Sequence, residues 1–158
     1  MSNSKNITPF VPELLQRLVE IISNPGVQAA VSENAAIALG RLGLHNSEIL
    51  APQLPNFAED FLSAMEHVEF LEEKATAFKG FTLVVGQNPQ AMEKALPQFF
   101  VAIARYRDIN LKSPIKQELH DHFQKAIGIY RQLIPQFNDF VNQMQPQDQQ
   151  ALRQYYSA

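Results

Sequence analysis

Apolar residues in this chain recur three and four positions apart, the period of a buried helix face and not of a strand. Val11, Leu14, Leu15, Leu18, Val19, Ile21 and Ile22 predict a helix over residues 7–24, opened at Thr8-Pro9 and closed by Asn24-Pro25-Gly26. Ala36, Ile37, Leu39 and Leu42 predict a second helix over 28–43, with Gly43 as its stop. A third helical region over 47–66 carries Pro52 and Pro55, so its first part is expected to be a separate turn or a kink. Its apolar face continues through Leu54, Phe57, Phe61, Leu62 and Met65. The same spacing predicts helices over 70–86, 89–106, Pro114 through Ile134, 136–143 and 147–156. Asp108 to Ser113 reads as a loop, with Ser113 as N-cap and Pro114 in the first helical position. The phenylalanines at 57, 61, 78, 81, 99 and 100 are helix-spaced and read as core. No segment sustains strand alternation, and the Asn-Gly and Asp-Gly hairpin dipeptides do not occur. The predicted class is all-α.

The helices repeat. Val11-Pro12-Glu13-Leu14-Leu15 returns as Leu54-Pro55-Asn56-Phe57-Ala58 and as Leu96-Pro97-Gln98-Phe99-Phe100, with the prolines 43 and 42 positions apart. Each of these opens the first helix of a pair. The second helices echo as well: Glu33 through Gly40 and Glu73 through Gly80 each run from a glutamate to a glycine seven residues on. A period near 40 with two helices per unit is the signature of a HEAT-type α–α superhelix. One pair cannot bury both faces, so pairs stack. The second helices are expected to line the concave side and the first helices the convex side. Gly40 and Gly80 are expected to let helices approach closely. The expected organisation is a disordered tail over 1–6, then one domain over 7–158 with about three helix pairs and a C-terminal helical cap.

Composition narrows the functions open to such a scaffold. A net charge of −3 lacks the basic excess that nucleic-acid binding needs. The absence of cysteine removes disulfides, thiolate metal sites and cysteine nucleophiles. No run approaches the apolar length of a membrane span, and the polar start, Met1-Ser2-Asn3-Ser4-Lys5, has no signal-peptide core. The sequon Asn6-Ile7-Thr8 then reads as a chance match. His120 and His122 are two apart and point to different helix faces, so they do not make the i, i+4 pair of a helical zinc site. There is no phosphate loop, dinucleotide fingerprint or nucleophile elbow. The expectation is a binding protein without cofactor, metal or catalytic residues. Solenoid ends need polar caps. Gln143 to Gln154 supplies one, whereas Leu14, Leu15, Leu18 and Ile22 predict an exposed apolar strip on the first helix and a tendency to self-associate.

Two segments carry a resemblance. Glu33-Asn34-Ala35-Ala36-Ile37-Ala38-Leu39-Gly40-Arg41-Leu42-Gly43 resembles a stretch near the C-terminus of the transportins, nuclear import receptors of the importin-beta family. Glu72-Glu73-Lys74-Ala75-Thr76-Ala77-Phe78-Lys79-Gly80 resembles the family in the next repeat, and Leu18-Val19-Glu20-Ile21-Ile22, Asn88-Pro89 and the closing Tyr155-Tyr156 fit too. The resemblance implies a cargo-binding segment, at work in cytoplasm and nucleus, that recognises basic proline–tyrosine localisation signals. It also implies that the Ran site lies in N-terminal repeats outside this chain. Carried over position by position, Asn34 would hydrogen-bond an extended cargo backbone and Ile37 would pack on an apolar cargo side chain. Glu33 would pair with a cargo Lys or Arg, and Glu73 would do so in the next repeat. The family often carries tryptophans in this region; this chain has none, with Phe61 and Tyr106 standing near where two would fall. Without the resemblance, Ile37 reads as core, Asn34 as a solvated helix residue and Glu72-Glu73 as a solvated face. A HEAT-type adaptor for some other protein partner is the alternative.

Overall fold

A computed structural model describes residues 8–68, 71–106 and 114–156. Its α-helices are α1 (Val11–Ser23), α2 (Ala29–Leu50), α3 (Leu54–Met65), α4 (Leu71–Gln87), α5 (Leu96–Arg105), α6 (Pro114–Leu133), α7 (Phe137–Asn142) and α8 (Pro146–Tyr156). No strand occurs among the described residues. The fold is an all-helical solenoid in two layers. The first layer is α1, α3, α5 and then α8; the second layer is α2, α4 and α6. The expected tail over 1–6, the loop over 108–113 and the Ser113 cap lie outside the described residues.

The repeated proline sits in the first turn of α1, α3 and α5, where its missing N–H costs no intrahelical bond. The residues before these helices share one backbone geometry. Phe10 has φ −95° and ψ −7°, Gln53 −94° and −3°, and Ala95 −93° and −2°. A sequence echo has thus become the same turn three times. Side chains then tie each unit to the next across nearly one repeat length. The Asn88 amide donates to the Ala51 carbonyl at 2.8 Å, and the Tyr130 hydroxyl donates to the Pro89 carbonyl at 2.8 Å. Ser23 donates to Asp60 at 3.0 Å, and Gln98 to Ser63 at 2.9 Å.

The core changes character along the stack. Between α1 and α2 it is aliphatic: Val11, Leu15, Leu18, Ile22, Ala35 and Leu39. From α3 onward it is aromatic. Phe61 stacks on Phe81 with centroids 4.3 Å apart, and edge contacts run from Phe81 to Phe99, Phe99 to Phe123 and Phe123 to Tyr156. A branch runs from Phe100 to Phe137 and Phe140 under α7. The six phenylalanines read as core are all buried.

Several boundaries differ from expectation. Gly43 does not stop α2. It is buried against Gly80 of α4, where an added Cβ would lie 2.9 Å from the Gly80 carbonyl oxygen. The break falls at Asn46, whose φ of −134° and ψ of 31° kink the helix while its amide donates to the Leu42 carbonyl. The helix then continues to Leu50 and a 3-10 turn, Ala51–Gln53, so the separate turn expected around Pro52 occurs, while the kink falls before that region, at Asn46. The region 89–106 likewise divides into a 3-10 turn, Pro89–Met92, and α5. Thr8-Pro9 opens a 3-10 turn and not the helix itself. On α1, Leu15, Leu18 and Ile22 face α2 and are buried. The exposed apolar residues at this end are Leu14, Phe10 (63% exposed) and Val31 of α2.

The helix α8 is tied down at both of its ends. Asp148, in the first turn of α8, is 1% exposed and lies 3.5 Å from the Arg105 guanidinium at the end of α5. A carboxylate there complements the partial positive charge of a helix N-terminus. At the other end of α8, His120 Nε2 lies 2.9 Å from the Tyr155 carbonyl, and Gln124 donates to the Tyr156 carbonyl at 2.7 Å. Two side chains of α6 thereby satisfy carbonyls that a helix end leaves without partners.

Candidate peptide-binding groove

The second layer is tightest where α2 crosses α4. An added Cβ on Gly40 would run into the backbone and Cβ of Ala77, and one on Gly80 would run into the Gly40 carbonyl. The two helices therefore touch backbone to backbone. This close approach brings the first turn of α4 alongside the middle of α2. Glu72 and Glu73 start α4, where acidic side chains suit the helix dipole.

An open groove of about 440 Å³ results, lined by Asn34, Ile37, Ala38, Arg41, Leu42, His45 and Asn46 of α2 and by Glu73 of α4. Three of the four residues singled out in the sequence meet here: Asn34, Ile37 and Glu73. Glu33 does not line the groove. Asn34 and Glu73 are exposed. Ile37 is only 7% exposed and belongs to the core, so it forms part of the groove's floor rather than a projecting contact.

Arg41, His45 and Asn46 were missed, although a signal existed. Asn34, Ala38, Arg41 and His45 fall at i, i+4, i+7 and i+11, which is one continuous stripe of a helix. The groove therefore mixes chemistry along its length: two amides, an apolar floor, one carboxylate, one guanidinium and an imidazole. Such a mixture fits an extended peptide, whose backbone needs amide partners and whose side chains point alternately up and down.

No group of three or more His, Asp or Glu side chains able to hold a metal occurs among the described residues. No described helix is long and apolar enough to cross a membrane. His120 is engaged at the α8 clamp, where its ring stacks on Tyr156 at 4.9 Å. Burial and the neighbouring Lys79 and Lys125 hold the His122 pKa below its usual value, so its ring resists protonation.

Comparison with known proteins gives a consistent result. No family model matches the chain. Importin subunit beta-2 of Schizosaccharomyces pombe is 37% identical over 123 residues, which is 78% of this chain. Transportin-1 of Homo sapiens is 33% identical over 119 residues, or 75% of this chain. Transportin-1 of Oryza sativa is 29% identical over 131 residues. The matched stretch spans only 13% to 14% of the length of these relatives. Over most of its length, and with the two-layer helical stack such repeats build, the chain belongs to the importin beta-2, or transportin, family of HEAT-repeat proteins.

Proposed function

We propose that this chain is a cargo-binding segment of a nuclear import receptor, acting in cytoplasm and nucleus on extended, basic signals of the proline–tyrosine type. The observation that supports the site is the meeting of Asn34, Ile37 and Glu73 in one open groove at the glycine-closed crossing of α2 and α4. In this reading Asn34 pairs with the cargo backbone, the Ile37 floor receives an apolar side chain, and Glu73 attracts a Lys or Arg. Glu33 acts at the groove's margin, where only a longer basic segment would reach it. Arg41 sits beside these groups and favours a peptide that also carries a carboxylate. Ran is engaged by other repeats of the family's longer chains. The exposed Phe10, Leu14 and Val31 make the α1 end a self-association surface.

The test is a fluorescence-polarisation titration of a basic proline–tyrosine peptide at low salt, with a scrambled peptide beside it. Saturable binding that prefers the ordered sequence and weakens in Asn34→Ala is the expected result. An Asn34→Ala change removes one neutral hydrogen bond, so the loss is about two- to tenfold. Equal binding of both peptides would return the chain to the general adaptor reading.

A further inference from the structure

A second cleft, unrelated to the groove, opens between α3, α4 and α5. It has a volume of about 420 Å³, within the range of small-molecule sites. Leu62, Met65, Phe78 and Val101 give it apolar walls, and among the described residues that line it the one amine belongs to Lys74. We propose that Lys74 is a covalent modification site that captures apolar aldehydes drawn into this cleft.

Three features of the cleft support this. First, the cleft offers apolar surface around an amine. An aldehyde with an aromatic or branched tail gains burial there that a small polar aldehyde cannot. Second, burial pulls the Lys74 ammonium below the usual lysine pKa, against the Glu66 carboxylate, which raises it. A larger neutral fraction is what a nucleophilic lysine requires. Third, Glu66, Arg105 and Tyr106 share the cleft wall, and the Arg105 guanidinium lies 3.5 Å from Asp148 of α8. An arginine stays protonated, so among the described lining residues Lys74 alone offers a nitrogen that can add to a carbonyl.

The chemistry is self-contained. The neutral Nζ adds to the aldehyde carbon to form a carbinolamine. Loss of the carbinolamine hydroxyl, with the second nitrogen proton, as one water then leaves the imine. No oxidant or reductant is consumed, and the step reverses in water.

The experiment uses the full chain with 2-naphthaldehyde as probe and cyanoborohydride added to fix any imine as a secondary amine. Peptide mass spectrometry then reads the adduct at each lysine. Acetaldehyde, which has no apolar tail, is run in parallel. With naphthaldehyde, Lys74 should be labelled roughly tenfold faster than Lys79, Lys94 or Lys125, the preference that burying about 60 Å² of ring surface supports. That preference should shrink with acetaldehyde, and in Val101→Gln, where a partly buried wall residue becomes polar. Even labelling of all lysines by naphthaldehyde would overturn the proposal. So would an equal Lys74 preference with both aldehydes, because the cleft would then contribute nothing.

Discussion

Between α2 and α4 the second layer closes on glycine; between α4 and α6 it closes on rings and an ion pair. At the first joint Gly40, Gly43 and Gly80 let two backbones meet. At the second, Phe78 and Phe123 stand edge to face with centroids 6.0 Å apart, and Lys79 pairs with Glu118 at 2.6 Å. A glycine is present in α6 as well, but Gly128 faces open space, with nothing within 4 Å of where its Cβ would be. The same residue type is therefore structural at one joint and incidental at the other. The difference matters for function because the candidate groove lies on the glycine joint, where the helix spacing sets how near Glu73 comes to Ile37.

Glycine-to-alanine changes in α4 and α6 should have opposite signs. The largest effect is expected from Gly80→Ala. The new Cβ would meet the Gly40 carbonyl, and backbone cannot rotate away as a side chain can. The cost should exceed the usual overpacking range of about 1–3 kcal/mol. Urea unfolding followed by circular dichroism checks it, and a near-neutral result would show that the helices are not locked together. Phe123→Leu should come next, at about 1–2 kcal/mol, because its neighbours Phe78, Phe99, Tyr106 and Tyr156 can partly settle around a smaller side chain. A loss as large as that of Gly80→Ala would erase the contrast between the joints.

Gly128→Ala should go the other way and stabilise by about 0.5–1 kcal/mol, since alanine orders a helix interior that glycine leaves loose. Destabilisation in the same unfolding assay would mean that α6 is packed more closely than described. The smallest effect concerns pH at the ring-and-ion-pair joint. The folded protein holds the His122 pKa below its unfolded value of about 6.5, so the unfolded chain takes up the proton first. Stability should therefore fall as pH drops below about 6.5, and His122→Gln should flatten that fall. Identical pH profiles for the two proteins would remove His122 from the account.

Much of this architecture was legible in the residues, because its signals are local. The three prolines report a turn made within a few residues of each, and the spaced phenylalanines report a face. Gly40 and Gly80 were recognisable as close-approach positions from their shared place in the repeat. Gly43 was not, because a glycine at a helix end and a glycine at a helix crossing look alike until the partner helix is placed. The same reason hid the α1 surface: Leu15, Leu18 and Ile22 look exposable until α2 covers them. Of the candidate site, the resemblance picked out Asn34, Ile37 and Glu73 on two helices. Only the crossing distance puts them in one groove and leaves Glu33 aside. Arg41 and His45 needed just the helical stripe extended two and three turns from Asn34.

Charge reversal on each joint, read by peptide binding, tests the central claim most directly. Glu73→Lys alters the groove, and Asp121→Lys makes the same charge change on exposed α6. The account predicts saturable binding of the basic proline–tyrosine peptide to the unaltered chain. It further predicts that Glu73→Lys weakens this about fivefold or more, while Asp121→Lys moves it less than about twofold, since exposed pairs distant from the contact contribute little. Equal weakening by both variants would mean that the peptide senses only net charge. It would contradict a site at the glycine joint.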